Sequence, residues 1–284
     1  MGNVRGVTLR AQWLGQILRD LREDRGLTLR EAGEYLQRTG ATISRFETGL
    51  YPIRRVDTAA LLDLYGVEDA GRRDTLLQLA GELWQTGWWE SYSKDAWSST
   101  IDMAWLENRA LKIRSFAGLV LPGLLQTRNY ALSLFQATSP EIPQRQIERG
   151  VELRIQRQRI LTRENPAALA VILDEAALRR PVGGAKVMAE QLRHLREAAK
   201  SPHVDVHVIP FASEAHASPG GSFTLIDLEE PFSEVAHAES PGGALYLERE
   251  DVDRLADVYD RLQENSLSIE ESIAFIAAVE KELS

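Results

Sequence analysis

The stretch from Leu27 to Gly49, LTLREAGEYLQRTGATISRFETG, constrains this chain more than any other. It reads as two short helices joined by a tight turn. Thr28 is placed to cap the first helix, and Glu31 follows three residues later. That spacing is a capping box, in which side chain and backbone satisfy each other's free groups at a helix start. Ala32, Tyr35 and Leu36 then fall on one face. Gln37 to Gly40 is too polar to continue the apolar pattern, so the chain turns there. Thr39 caps a second helix, Ile43 and Phe46 form its inner face, and Gly49 supplies a stop.

Helices this short are marginal alone and need partners. Leu14, Ile17, Leu18 and Leu21 fall at i, i+3, i+4 and i+7, an amphipathic helix ending at Gly26. Beyond Pro52, Ala60, Leu61, Leu64 and Tyr65 mark a fourth helix, stopped at Gly66. Leu76, Leu79, Ala80 and Leu83 mark a fifth.

The segment LREDRGLTLREAGEYL…TGATISRFETG resembles the helix-turn-helix of Xre-family (Cro-type) repressors, over roughly residues 9 to 66. The I-S-R-F-E-x-G run is its most specific part. The resemblance implies double-stranded DNA as partner, with the second helix, about 40–48, in the major groove. It also implies an ion pair between an Arg of the first helix and the Glu that ends the groove helix, here Arg22 and Glu47.

Composition fits this reading once the chain is divided. At 284 residues, with 44% hydrophobic and 26% charged residues, it is long enough for two domains with cores of their own. The net charge of −9 is unusual for a DNA binder. Residues 1–56, however, hold ten Arg, no Lys and six acids, a balance of +4, which leaves −13 for the remainder. The acidic part is repelled by phosphate and should not lie along DNA. Without cysteine, disulfides, thiolate metal sites and cysteine catalysis are excluded. No apolar run is long enough to span a bilayer, and the N-terminus lacks a signal-peptide core. These features point to a cytoplasmic protein, nucleoid-associated when bound to DNA, without membrane contact.

The sequence therefore predicts a mainly α, α+β chain: a five-helix DNA-binding module over 1–85, then an α+β regulatory or protein-interaction domain over 86–284. Within the second part, helices are expected over 101–112, 124–135, 143–163, 185–200, 250–262 and 268–283. Strands are expected over 168–173, 204–209, 223–228, 234–238 and 244–247. SPGG at 218–221 and again at 240–243 each precede a β-like run and read as turns.

The second part resembles a large actinobacterial group in which an Xre-type helix-turn-helix is fused to a conserved domain of unknown function. LENRALKIRSFAGLVLPGLLQTRNYA, LDEAALRRPVGGAKVMAEQLRHL, VHVIPF and GSFTLIDLEEP carry that resemblance, over roughly residues 85–283. Some members are described as WhiJ-like, antitoxin-like regulators. The resemblance implies regulation, often beside a small protein encoded nearby, and brings no catalytic residues.

Candidate residues follow from the chemistry of readout. The outward positions of the groove helix are Gly40, Ala41, Thr42, Ser44 and Arg45, of which only Arg45 is a long donor. Thr28, Arg30, Arg38, Thr39, Arg54 and Arg55 are placed to meet phosphate, with Arg5 and Arg10 as a basic arm. Five of the six tryptophans, Trp84, Trp88, Trp89, Trp97 and Trp105, lie within one segment. They read as a core layer between domains or as a partner or ligand surface. Arg145, Arg149, Arg159 and Arg163 share one stripe of the 143–163 helix at about 100° per residue. That stripe is a solvated face with internal pairs such as Arg149–Glu152, or a dock for an acidic partner. His194, His203, His207, His216 and His237 form no metal-ligand spacing, and no nucleophile or phosphate-loop motif occurs, so neither metal, cofactor nor enzymatic activity is expected.

Three functions fit. The first is a sequence-specific transcription regulator whose second domain dimerises and senses a partner or effector. The second is an antitoxin-like protein that mainly binds a small protein, with autoregulatory DNA binding. The third is a regulator gated by a small molecule. A homodimer is expected, held by residues beyond 85, with Ile269, Ile273, Ile276 and Val279 as an apolar stripe available for pairing.

Overall fold

The computed structural model describes residues 8–84, 87–92, 98–213, 215–229, 232, 234–240, 243–247 and 250–283. Arg5 and Trp97 lie outside the described residues. The chain divides into two compact units, Met1–Ser93 with Thr100–Asp102, and Lys94–Ser99 with Met103–Ser284.

The first unit is helical: α1 (Leu9–Asp24), α2 (Leu29–Tyr35), α3 (Gly40–Glu47), α4 (Arg55–Leu64) and α5 (Ala70–Glu82). Short polar residues start four of the five. Thr8, Thr28, Thr39 and Asp69 each accept a backbone N–H from the first turn of the helix that follows. The apolar stripes meet in one core, where Leu14, Leu18, Ile43, Leu61, Leu62 and Leu79 are fully buried. At about 25 cal/mol per Å² of apolar surface, burial of this kind is the main force joining helices too short to stand alone. One periodic residue departs from the pattern: Tyr35 is 52% exposed and does not share the inner face with Ala32.

The second unit is an α+β sandwich of helices on a six-stranded sheet. Its strands are β1 (Ala110–Ala117), β2 (Ala168–Asp174), β3 (Val204–Ile209), β4 (Phe223–Leu228), β5 (Val235–Ser240) and β6 (Gly243–Leu247). The order is β3-β2-β1-β4-β5-β6. β1, β2 and β3 pair in parallel, whereas β4, β5 and β6 extend the sheet antiparallel from β1. The helices are α6 (Ser98–Arg109), which has residues in each unit, α7 (Arg128–Thr138), α8 (Gln144–Arg157), α9 (Glu175–Arg179), α10 (Ala185–Ala198), α11 (Glu250–Glu264) and α12 (Ile269–Glu282). α11 lays Val252, Tyr259 and Leu262 on Phe116, Ile172, Phe223, Leu225 and Ala236 of one sheet face. The Tyr259 hydroxyl donates to the Ala170 carbonyl at 3.0 Å. The fold class expected from the sequence, an all-α module followed by an α+β unit, is the one observed.

Three expectations for this unit are corrected. Residues 101–112 are not one helix: α6 ends at Arg109 and β1 begins at Ala110. The guanidinium of Arg163 donates to the carbonyls of Asn108 and Ala110, so the helix end is closed from elsewhere in the chain. The arginine-rich helix stops at Arg157, followed by a 3-10 turn over Gln158–Leu161. Arg157 is buried in a bidentate pair with Glu107, both contacts at 2.6 Å, and Gln158 donates to Gly123 and Gln126 carbonyls. Arg159 and Arg163 therefore leave the stripe of Arg145 and Arg149. Half of the apolar stripe of α12 is not spare surface either, whereas Ile269 and Ile273 are only half-buried. Ile276 and Val279 are buried in their own unit, and the Ser272 hydroxyl accepts the Val208 N–H at 2.9 Å.

Candidate nucleic-acid interface

The interface is built on the α2–turn–α3 segment. The Thr28 hydroxyl accepts the Glu31 N–H at 3.2 Å, and the Glu31 carboxylate takes the Thr28 N–H at 2.8 Å and its hydroxyl at 2.7 Å. Those bonds hold the Glu31 carboxyl below its ordinary value, the Thr28 hydroxyl contributing most. α2 closes with Gln37 in the left-handed region at φ 54°. The Gln37 N–H bonds to Glu34 at 3.0 Å and the Arg38 N–H to Gly33 at 2.7 Å, which recovers two carbonyls at the helix end. Gly33 is needed there for approach: a Cβ would sit 2.9 Å from the backbone of Thr39 and Gly40. Thr39 then caps α3 through the Thr42 N–H at 3.2 Å.

A buried ion pair fixes α3 against α1. Arg22 donates from Nε to Glu47 Oε1 at 2.7 Å and from Nη2 to Oε2 at 2.9 Å. Its remaining donors reach the Leu27 carbonyl at 2.7 Å and Glu23 at 3.2 Å. Side-chain exposure is 9% for Arg22 and 5% for Glu47. The hydrogen bond to Glu47 raises the Arg22 guanidinium further above its ordinary value. Beside this pair the Tyr65 hydroxyl is buried without a hydrogen-bond partner among the described residues. Burial pushes its pKa well up, with the Glu47 charge adding to the effect.

The residues of α3 divide by exposure. Ile43, Phe46 and Glu47 point inward, Ala41 and Arg45 are exposed, and Thr42 and Ser44 are half-buried. Gly40 does not belong to the outward set. A Cβ there would meet the backbone of Leu29 and Arg30 at 3.3 Å, so its direction is toward α2 and its small size serves helix packing. Thr42 shares a hydroxyl contact with Thr39 at 3.0 Å. Arg45 has no ion-pairing carboxylate among the described residues. Its Cζ lies 5.1 Å from the centroid of the Tyr51 ring. Tyr51 was absent from the sequence-derived set; an aromatic just before Pro52, close behind an exposed Arg, is the signal that marks it.

The expected phosphate contacts are unequal. Thr28 both donates to and accepts from Glu31, so its hydroxyl is committed to the cap, and the Glu31 carboxylate there opposes a phosphate. Arg30 lies 3.5 Å from Glu34 and Arg38 lies 3.8 Å from Asp57, pairs that leave much of each guanidinium in solvent. Arg54 and Arg55 are exposed, with no ion-pairing carboxylate among the described residues. Arg54 sits 5.9 Å from the Trp84 ring, and the Trp84 indole N–H donates to the Ile53 carbonyl at 2.9 Å. Arg10 is buried and donates to the Glu82 carbonyl at 3.4 Å, so it is not part of a basic arm.

The described tryptophans of this segment differ in exposure. Trp105 is 2% exposed and meets Phe232 edge-on at 6.0 Å inside the second unit. Trp89 is buried in the first, edge-on to Trp88 at 5.6 Å. Trp84 and Trp88 keep exposed area, and Trp84 braces the loop before α4. On α8, Arg145 is exposed and Arg149 pairs with Glu152 at 2.8 Å. The histidines are dispersed: His203 and His207 bond the Leu161 and Leu267 carbonyls, and His216 lies 3.5 Å from Asp174. Among the described residues no cluster of three or more potential ligands could hold a metal, and no helix is long and apolar enough to cross a membrane.

Capped helices, a closed turn and a buried clamp at the end of α3 define a helix-turn-helix protein of the DNA-binding regulator class. Comparison with known families agrees: residues 13–76 match the Helix-turn-helix domain. Residues 100–278, more than half of the chain, match the Domain of unknown function (DUF5753), and the chain belongs to that family. No curated protein and no solved structure matches it.

Proposed function

We propose that the chain is an Xre-like, sequence-specific transcription regulator that presents α3 to the major groove, as a homodimer in the cytoplasm. Residues 1–85 are the DNA-binding domain. Residues 86–284 serve dimerisation and the sensing of a partner or effector, without catalytic chemistry of their own.

The observation that carries this reading is how the arginines of the module are used. Arg19, Arg22, Arg30, Arg38 and Arg73 lie within ion-pair distance of carboxylates. Arg45, Arg54 and Arg55, on α3 and at the start of α4, have no such carboxylate among the described residues. Guanidinium groups with no competing carboxylate can supply both a base-reading fork and phosphate contacts. The acidic remainder supports a dimer that stands away from the duplex, since one recognition helix reads too few base pairs for strong specificity.

Selection by the full chain from a pool of random duplexes tests the reading. The expected product is a common sequence with two half-sites about 34–36 Å apart. A bound pool indistinguishable from the input refutes it.

A further inference from the structure

We propose that Tyr51 is a positioning residue for Arg45, and that the two together give the interface a preference for guanine at one base pair. The proposal rests on α3 being the groove-facing helix.

Three observations converge on this pair. The ring and the guanidinium are in contact distance, 5.1 Å from Cζ to centroid. The backbone ties them as well, because the Tyr51 N–H donates to the Arg45 carbonyl at 3.1 Å. The loop between them has little freedom. Gly49 turns at φ 70°, and a Cβ on it would lie 2.7 Å from the backbone nitrogen of Gln12. Pro52 restricts Tyr51 to extended backbone from the other side. Behind Pro52 the Ile53 carbonyl is held by the Trp84 indole.

A braced arginine differs from a free one in what it can read. Contact with the ring narrows the rotamers of the guanidinium, whose N–H edge carries its donors. That edge is a planar fork that matches O6 and N7 of guanine. The other outward side chains of α3, from Ala41, Thr42 and Ser44, are too short to make a bidentate contact. Without the ring, Arg45 is free to swing to the nearest phosphate, which keeps affinity but reads no base.

The test compares full-length wild type, Tyr51→Ala, Tyr51→Phe and Arg45→Ala, each selected on the same random duplex pool at one salt concentration. Thermal melts verify that each variant folds. Wild type should select guanine at one position of each half-site. Arg45→Ala should lose it, and Tyr51→Ala should reduce it about ten-fold, within the range of one bidentate contact. Tyr51→Phe, which keeps the ring, should restore it. The salt dependence of binding should change little for Arg45→Ala, which loses a base contact and no phosphate contact, and should steepen by about one phosphate for Tyr51→Ala, where Arg45 reaches a phosphate instead. If Tyr51→Ala keeps the guanine preference or binds more tightly, the ring does not position Arg45 for reading. If wild type selects nothing, the groove-facing role of α3 falls, and this inference with it.

Discussion

Replacing Glu47 with alanine removes one half of the clamp between α1 and α3. Arg22 has four contacts, at 2.7 and 2.9 Å to Glu47, 2.7 Å to the Leu27 carbonyl and 3.2 Å to Glu23. The substitution deletes the two charge-assisted bonds to Glu47. At 9% exposure, the Arg22 side chain has little access to replacement water. Arginine stays protonated, so the cost cannot be escaped by losing the charge. Breaking a buried pair costs about 3–5 kcal/mol. Because Leu27 and the half-exposed Glu23 still compensate Arg22, we expect about 3 kcal/mol, the low end of that range. For a unit of this size that lowers the midpoint by roughly 12–24 °C, at about 4–8 °C per kcal/mol. Amide exchange in α1 and α3 of the full chain isolates the module from the second unit. The combined change Arg22→Met with Glu47→Leu should cost less than either single change, since neither charge is then stranded. A loss below about 1 kcal/mol, the range of exposed pairs, would refute the reasoning.

Other expectations follow from single groups. Tyr65→Phe removes a buried hydroxyl with no partner among the described residues, so urea unfolding should show no loss or a gain of up to about 1 kcal/mol. Gln37→Gly relieves a left-handed backbone and should stabilise the module by about 0.5–1 kcal/mol in the same assay, whereas a loss would mean that the Gln side chain supports the turn. Glu31 has its folded pKa held below the ordinary 4.5, so its contribution is complete above that value and is lost as pH falls through the depressed one. The protection of the Thr28 and Glu31 amides, taken relative to intrinsic exchange, should fall below pH 4.5, and Glu31→Gln should make that protection insensitive to pH there; equal acid profiles for the two proteins would contradict this.

The helix-turn-helix unit was legible in the sequence because its signals are local. A capping box, polar N-caps and glycine stops lie within a few residues of what they control, so α1 to α5 are found where the periodicity places them. The boundary between α6 and β1 was hidden because its cause is remote. No Gly or Pro marks it, and the helix end is closed by Arg163, more than fifty residues away. An irregularity in the pairing of β1 with β4 between Ala110 and Lys112 also blurs the alternation that would announce a strand. The end of α8 has the same kind of cause, since Glu107 and the carbonyls of Gly123 and Gln126 capture Arg157 and Gln158. In the site itself, residue types identified Arg45 as the long donor, but it is the folded arrangement that turns Gly40 toward α2 and brings Tyr51 against Arg45.

In the proposed function α3 reads base sequence through Arg45. Fluorescence anisotropy with the full chain tests it most directly, on a selected duplex and a scrambled duplex of equal length, at one salt concentration. Wild type should bind the selected duplex at least about a thousand-fold more tightly than the scrambled one. Arg45→Ala should weaken binding to the selected duplex by about 1–3 kcal/mol per lost contact and leave the scrambled duplex nearly unaffected. Equal affinities of wild type for the two duplexes, or a specificity ratio unchanged by Arg45→Ala, would contradict it.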